Sequence, residues 1–169
     1  YIIGAHRFEA EPLAPGLYVV ATPIGNLGDM TIRALATLAA AEIVLCEDTR
    51  TSGKLMERFA IKTRLWSYHE HNAQKVRPEI LERLKQGGTI ALISDAGMPL
   101  VSDPGYRLVK EAAELGIPVT ACPGASAVLT GLALSGLPTD RFLFAGFVPQ
   151  KQGERKKLFT EFAKLKATL

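Results

Sequence analysis

The sequence has few of the residues that mark several common classes of protein. Its 169 residues include only two cysteines, three histidines and one tryptophan. Cys46 and Cys122 do not form a CxxC pair and each ends an apolar run, so we expect reduced core thiols rather than a disulfide framework. No apolar run approaches the ~20 residues of a membrane helix. Residues 1–15 lack the basic and then apolar order of a secretory signal, so we expect a loose lead-in and a cytoplasmic protein.

The chain also has little net charge, but its basic residues are unevenly distributed. The formal net charge is only +3. From residue 150 onward there are six basic and two acidic residues, whereas the rest of the chain carries 14 basic and 15 acidic ones. The basic end is either an arm for a phosphate backbone or an ordinary solvated helix face, and the sequence alone leaves both open.

The chain does contain a regular alternation of apolar strands and amphipathic helices. Predicted strands are 16–21, 42–47, 64–68, 89–94 and 117–122. Predicted helices are 30–41, 52–59, 72–88, 106–116 and an apolar, buried one at 125–136. Continuous apolar strands that alternate with helices are typical of a parallel sheet covered on both faces. We therefore predict an α/β fold with a mostly parallel sheet and helices on both faces.

The pattern changes after residue 139. Residues 142–149 have the composition of one more strand, and a basic helix begins at about Lys151. One strand and one helix cannot bury a core by themselves. We predict a lead-in at 1–15, an N-terminal α/β domain at 16–139 and the incomplete start of a second α/β domain at 140–169.

Ligands of open α/β folds bind at the carboxyl ends of the strands. Four loops are expected there, at 22–29, 47–52, 94–105 and 123–126. The longest, "SDAGMPLVSDPG", is stiffened by two prolines and freed by two glycines, so it suits a flat polar ligand held mostly by main-chain groups. Asp95 or Asp103 would accept hydrogen bonds there. The alternative is a long structural connection, but loops of this length in compact domains are usually functional.

Two short motifs add polar side chains to the same edge. In "EDTR", Glu47 or Asp48 could take a proton from a hydroxyl while Arg50 holds a phosphate. A local ion pair that caps the next helix, with Thr49 or Thr51 as the cap, is an equal alternative. In "YHEHN", His69 is a candidate substrate contact, because two histidines without further ligands do not make a metal site.

These motifs together resemble a known family. They are "YVVATPIGNLGDMT", "EDTR", "SDAGMPLVSDPGYRLV", "PGASA" and "GLPTDRFLFAGFVP". They are similar to those of the tetrapyrrole-methylase superfamily of S-adenosylmethionine-dependent methyltransferases. Within it they resemble the branch that methylates a cytidine 2′-hydroxyl in small-subunit ribosomal RNA. The resemblance runs from about residue 16 to residue 149 and implies ribosomal RNA or the small ribosomal subunit as partner, no membrane, and a homodimer.

The resemblance also implies where S-adenosyl-L-methionine binds, in a cleft between two α/β domains. The implied cofactor residues are Ile24, Gly25, Ser94, Asp95, Ala96, Gly97, Met98, Pro99, Ser126 and Ala127. Glu47, Asp48 and Arg50 are then the expected catalytic residues, with His69 and Asp29 as substrate contacts and Asp29 as a reserve proton acceptor. No metal is expected, because the sulfonium is already a good leaving group. The alternatives are a porphyrinogen methyltransferase of the same fold and an RNA-binding or nucleotide-binding module without chemistry.

Overall fold

The computed structural model describes residues 1–101 and 105–169, so Asp103 of the longest loop lies outside the described residues. The chain divides into two compact units, Tyr1–Ser126 and Ala127–Leu169. The division falls just before the apolar helix, whereas the predicted domain boundary lies near residue 140. That boundary refers to complete domains and stays a prediction.

The first unit is built on a five-stranded parallel sheet. The described residues form seven strands: β1 (Ile2–Ile3), β2 (His6–Arg7), β3 (Gly16–Val20), β4 (Ile43–Cys46), β5 (Arg64–Ser67), β6 (Thr89–Leu92) and β7 (Val119–Cys122). The last five form the sheet in the order β5-β4-β6-β3-β7, and every neighbouring pair is parallel. The prediction of a parallel α/β fold is confirmed.

Four helices cover this sheet: α1 (Ile32–Ala40), α2 (Thr49–Arg58), α3 (Ala73–Lys85) and α4 (Tyr106–Glu114). Successive residues of a strand face opposite sides of a sheet, and β4 shows the consequence. Val44 packs in one core cluster with Leu38 of α1 and Met56 of α2. Its neighbour Leu45 packs in the other with Ile80 of α3, and α4 contributes to that cluster too. Both faces are therefore buried, with α1 and α2 on one and α3 and α4 on the other.

The N-terminal segment is more ordered than the predicted loose lead-in. The strands β1 and β2 pair as an antiparallel hairpin, and the Ile2 amide donates a 2.8 Å hydrogen bond to the Phe59 carbonyl. The rings of Tyr1 and Phe8 stack with their centroids 5.5 Å apart. Tyr1 and Ile3 also pack against the core. This segment is ordered because it brings apolar side chains to a core that already exists.

The second unit contains α5 (Ala127–Leu134) and α6 (Gln152–Phe162). The basic helix predicted from Lys151 is confirmed. The predicted burial of the apolar helix is wrong, since α5 has no buried residue and Leu134 is 82% exposed. An apolar helix is buried only where another surface covers it, and the described residues do not cover this one.

The predicted strand at 142–149 is also wrong. Within that range only Phe142 pairs, in an isolated parallel bridge with Thr168. Gly146 has φ +80°, which lies outside the extended region. An apolar run becomes a strand only when a neighbouring strand takes its backbone hydrogen bonds, and here the pairing stops after one bridge.

Two predictions from residue scarcity can be set beside the fold. Cys46 and Cys122 are both buried and unbridged, which confirms the predicted core thiols. Within 1–101 and 105–169, no helix combines the length and the apolar character needed to cross a bilayer.

Candidate active site at the carboxyl edge of the sheet

Two of the loops at the carboxyl ends of the strands are joined by main-chain hydrogen bonds. The Thr22 amide donates to the Gly97 carbonyl at 2.9 Å, and the Gly97 amide donates to the Thr22 carbonyl at 3.0 Å. The buried Thr22 hydroxyl donates to the Ser94 carbonyl at 3.0 Å. The loops after β3 and β6 therefore form one rigid platform.

Gly97 is the point at which a third loop meets this platform. Its φ of +83° is a conformation that only glycine adopts without strain. A Cβ added here would lie 3.2 Å from the Ile24 side chain and 3.5 Å from the Ala125 carbonyl, which follows β7. The approach of three loops at one residue explains why a glycine stands here.

A cleft of about 240 Å³ opens beside the platform. One wall is formed by the loop after β3, and Ser94 and Asp95 follow β6 on the floor. The other wall is helix α2. The lining residues are Thr22, Pro23, Gly25, Leu27, Thr51, Ser52, Lys54, Leu55, Ser94 and Asp95. The structure thus brings together three of the expected cofactor residues, Gly25, Ser94 and Asp95.

The other expected cofactor residues of the 94–99 loop support the cleft without lining it. The Ala96 carbonyl accepts a 3.3 Å hydrogen bond from the Ser94 hydroxyl. Pro99 is buried and Met98 is half-buried. Ser126 ends the first unit and Ala127 begins the second, so their part in cofactor binding stays a prediction.

The expected catalytic pair Asp48 and Arg50 forms a local ion pair. Asp48 Oδ2 accepts a 2.8 Å hydrogen bond from the Arg50 guanidinium, and Oδ1 accepts from Arg50 Nε at 3.1 Å and from the Arg50 amide at 2.8 Å. These hydrogen bonds, the side-chain ones first, hold the pKa of Asp48 at about 2. Asp48, rather than Thr49 or Thr51, is thus the N-cap of α2. A carboxylate this acidic is a poor proton acceptor near neutral pH.

Glu47 and His69 lie at neighbouring strand ends. Because Cys46 pairs with Ser67 across β4 and β5, the two residues follow paired positions of adjacent strands. The Glu47 side chain is exposed and makes no ion pair with the described residues. The His69 amide donates to Asn72 Oδ1 at 2.9 Å, while its buried Nδ1 has no hydrogen-bond partner among the described residues. Of the two carboxylates in the EDTR motif, Glu47 is therefore the one without an ion pair among the described residues.

The remaining predicted contact, Asp29, ends a short 3₁₀ helix at Leu27–Asp29. Its side chain is exposed, and Thr31 rather than Asp29 caps α1 by accepting from the Ala34 amide at 3.1 Å. No group of three or more possible metal ligands occurs in the described parts of the chain.

Sequence reasoning placed residues 51 and 52 in a loop at this edge but missed the rest of the α2 wall. Thr51, Ser52, Lys54 and Leu55 all line the cleft. The Ser52 hydroxyl is buried, lies beside the Cys46 thiol and makes no other hydrogen bond with the described residues. Burial raises the pKa of the neighbouring Cys46 thiol, and the Ser52 hydroxyl offsets part of that rise. The signal that could have pointed to this wall is the capping Asp48 at the strand end, because on a helix that begins there Thr51 lies on the same face as Lys54 and Leu55.

The geometry is that of a binding site for a small polar molecule. It combines rigid main-chain groups, the carboxylate of Asp95, the ammonium of Lys54 and an apolar patch from Leu27 and Leu55. The family model for Tetrapyrrole (Corrin/Porphyrin) Methylases matches residues 16–169. The chain belongs to this family.

Two curated proteins that are similar to this chain have the same name. The chain is 55% identical over 168 residues to ribosomal RNA small subunit methyltransferase I of Mesorhizobium japonicum, covering 99% of this chain and 57% of that protein. It is 50% identical to the protein of the same name from Rickettsia prowazekii, covering 93% of this chain and 56% of that protein. The chain thus spans little more than half the length of these relatives.

Solved structures of two other proteins have a similar fold. Uroporphyrin-III-C-methyltransferase from Thermus thermophilus is 25% identical, with a TM-score of 0.55 over 73% of this chain and 53% of that chain. A conserved hypothetical protein from Aeropyrum pernix has a TM-score of 0.63 over 78% of this chain and 46% of that chain. At 24% identity, the second shows the fold alone.

Proposed function

We propose that the protein to which this chain belongs is an S-adenosylmethionine-dependent methyltransferase that methylates the ribose 2′-hydroxyl of a cytidine in small-subunit ribosomal RNA. The observation that carries the proposal is the cleft at the carboxyl edge of the sheet in a chain 55% identical to a ribosomal RNA small subunit methyltransferase I. The small ribosomal subunit as partner, a cytoplasmic location and a homodimer belong to the same proposal. Analytical ultracentrifugation of the full-length gene product tests the dimer.

The cleft fits S-adenosylmethionine in its chemistry. Asp95 and Lys54 carry the charges that would pair with the ammonium and carboxylate of an amino acid. The buried Ser52 hydroxyl, beside the Cys46 thiol, offers one more hydrogen bond. A Cβ at Gly25 would project into open space, so a ligand can approach its backbone closely. The cofactor would supply an electrophilic methyl group on a sulfonium.

The remaining task of the protein is to align the ribose hydroxyl and accept its proton. A neutral hydroxyl is a poor nucleophile, so a positioned carboxylate raises the rate. Glu47 takes this part because its side chain is free, whereas Asp48 is engaged by Arg50. The Asp48–Arg50 pair then holds the start of α2 in place, and Asp29 stays the reserve acceptor. His69, beside Glu47 at the sheet edge, contacts the RNA.

The test uses the full-length gene product with tritiated S-adenosylmethionine and small subunits from cells that lack the modification. We expect label in 2′-O-methylcytidine, identified by mass spectrometry of the nucleosides. Glu47→Gln should lower turnover about 100-fold or more, the usual size of a general-base effect. Asp48→Asn, which keeps a capping side chain, should lower it much less. Near-normal turnover of Glu47→Gln on folded protein would remove Glu47 from the mechanism.

The same experiment decides against the porphyrinogen alternative. That alternative predicts no label in RNA although cofactor binding is intact. It has the weaker support, since the uroporphyrin-III-C-methyltransferase is 25% identical to this chain and the ribosomal RNA methyltransferase of Mesorhizobium japonicum is 55% identical.

A further inference from the structure

The strongest concentration of charge lies outside the cleft, on helix α6 and the residues that follow it. The basic side chains there are Lys151, Arg155, Lys156, Lys157, Lys164 and Lys166, against the acidic Glu154 and Glu161. The rest of the chain has one acidic residue more than it has basic ones. A local excess of this kind is an electrostatic footprint rather than a property of the whole surface.

Most of these cations have no partner. Lys151 pairs with Glu154 at 3.3 Å, and this is the one ion pair found on α6 among the described residues. Arg155, Lys156 and Lys157 are exposed and make no ion pair with the described residues. Their charges are therefore available to a polyanion.

The helix gathers three of the lysines on one side. Residues four and seven positions apart share a helix face, and Ala163 continues the helical backbone after α6. Lys156, Lys157 and Lys164 accordingly lie on one exposed face of this segment, together with Gly153, Thr160 and Glu161. The Thr160 hydroxyl is already used, because it donates to the Lys156 carbonyl at 2.9 Å. The three ammonium groups are therefore the groups on this face that could bind phosphate, and the Glu161 carboxylate would weaken that binding.

The distribution of apolar side chains favours a nucleic acid over a lipid surface. A membrane-surface helix separates its apolar and charged residues into two faces. On α6 the half-buried Leu158 and Phe162 share one face with Phe159, but Arg155 lies on the same face because it is three, four and seven positions away from them. The apolar face of the helix is thus interrupted by a charged residue, which does not favour insertion into a bilayer.

We propose that the exposed face formed by Lys156, Lys157 and Lys164 is a docking surface for the phosphate backbone of the substrate RNA. The proposal rests on the proposed function for the identity of the RNA. It concerns binding rather than chemistry, so the two fail in different experiments.

The test measures binding of a fluorescein-labelled single-stranded oligonucleotide that copies a segment of small-subunit ribosomal RNA. Binding of the full-length gene product is followed by fluorescence anisotropy over a series of salt concentrations. The variant Lys156→Gln/Lys157→Gln/Lys164→Gln loses three phosphate contacts. Its slope of log K against log salt should fall by about two, because each contact to a single strand contributes about 0.7. Its Kd should rise roughly tenfold or more at low salt.

The matched control removes the same charge elsewhere. Lys62, Lys85 and Lys110 are exposed lysines of the first unit, none lines the cleft, and their triple change to Gln should leave the slope nearly unchanged. Equal losses in the two triple variants would show that only net charge matters and overturn the proposal. Glu161→Gln provides a test of opposite sign, since removing the carboxylate should tighten RNA binding a few-fold. Unchanged or weaker RNA binding would count against this face as the docking surface.

A second probe separates RNA from lipid. Vesicles of phosphatidylglycerol and phosphatidylcholine should bind the protein weakly and equally with or without the three lysines. Vesicle binding that depends on the three lysines, with RNA binding unchanged in their absence, would show that this face binds a membrane surface instead. Methyl transfer to RNA by wild-type protein, with an RNA-binding slope that the α6 variant does not change, would uphold the proposed function and reject the docking surface.

Discussion

At Gly97, backbone conformation and packing impose the same requirement. Its φ is +83° and an added Cβ would press on Ile24. Gly97→Ala should therefore lower the free energy of unfolding by about 1–3 kcal/mol, the usual cost of a strained backbone conformation. It should also weaken binding of S-adenosylhomocysteine, because the platform beside the cleft shifts. Urea unfolding and isothermal titration calorimetry measure the two effects.

Gly116 offers the matched control. It also has a positive φ, +69°, but a Cβ there meets nothing within 4 Å, and it follows α4 away from the cleft. Gly116→Ala should lower stability by a comparable or smaller amount and leave ligand affinity unchanged. If the two variants bind S-adenosylhomocysteine equally well, Gly97 does not shape the binding site.

Asp48 gives a prediction in pH. Its hydrogen bonds to Arg50 lower the pKa from 3.8 to about 2 in the folded protein. A carboxylate whose pKa is lowered by folding stabilises the fold above its unfolded value, and this contribution is lost as the pH falls through the folded value. The difference in melting temperature between wild type and Asp48→Asn should be constant above about pH 4 and shrink towards pH 2. A difference that stays constant or grows on acidification would contradict the ion pair.

At the scale of secondary-structure elements, Arg77 links neighbouring parts of the fold. Its Nε lies 2.9 Å from Glu111 Oε1, which joins α3 to α4. Burial raises the pKa of the Tyr68 phenol, and interaction with the Arg77 guanidinium offsets part of the rise, so the same side chain also reaches the end of β5. Arg77→Met should lower the free energy of unfolding by about 1–3 kcal/mol, because the buried phenol loses its partner.

Thermal and urea unfolding of Arg77→Met check this value, and Arg33→Met is the control. Arg33 is an exposed helix residue with no ion pair among the described contacts, so its loss should cost less than about 0.5 kcal/mol. Adding Tyr68→Phe to Arg77→Met should then cost less than the sum of the two single changes. Strict additivity would mean that the phenol and the guanidinium do not interact.

The elements show what the sequence could predict and what it could not. Apolar periodicity and the capping residues are local, so the parallel strands and the helices between them were predictable. The meeting of the loops after β3 and β6 followed from the rule that parallel strands end at one edge. The strand at 142–149 and the burial of α5 depended on partners that no local pattern specifies. The α2 wall depended on which helix face turns toward the cleft, and on Asp48 starting that helix three residues earlier than predicted.

At the scale of the whole molecule, all the buried hydrophobic residues that the structure describes lie at or before Cys122. Both core clusters and all five strands of the main sheet therefore belong to the first unit. Hydrophobic burial is the main favourable term in folding. Residues 1–126 should accordingly fold alone, with one cooperative urea transition and a free energy of unfolding close to that of the 169-residue chain.

For the second unit we expect the opposite result, that it does not fold alone. No described residue after Ser126 is buried, and large apolar side chains such as Leu134 and Phe147 are exposed. The second unit therefore has no hydrophobic core of its own among the described residues. A peptide of residues 127–169 should show no cooperative transition by circular dichroism. If instead residues 1–126 unfold without cooperativity, the first unit draws stability from the second that its own core does not provide. The expected cofactor residues Ile24, Gly25 and Ser94–Pro99 all lie in the first unit. Measuring S-adenosylhomocysteine binding to residues 1–126 would therefore show whether this unit forms the cofactor platform without the rest of the protein.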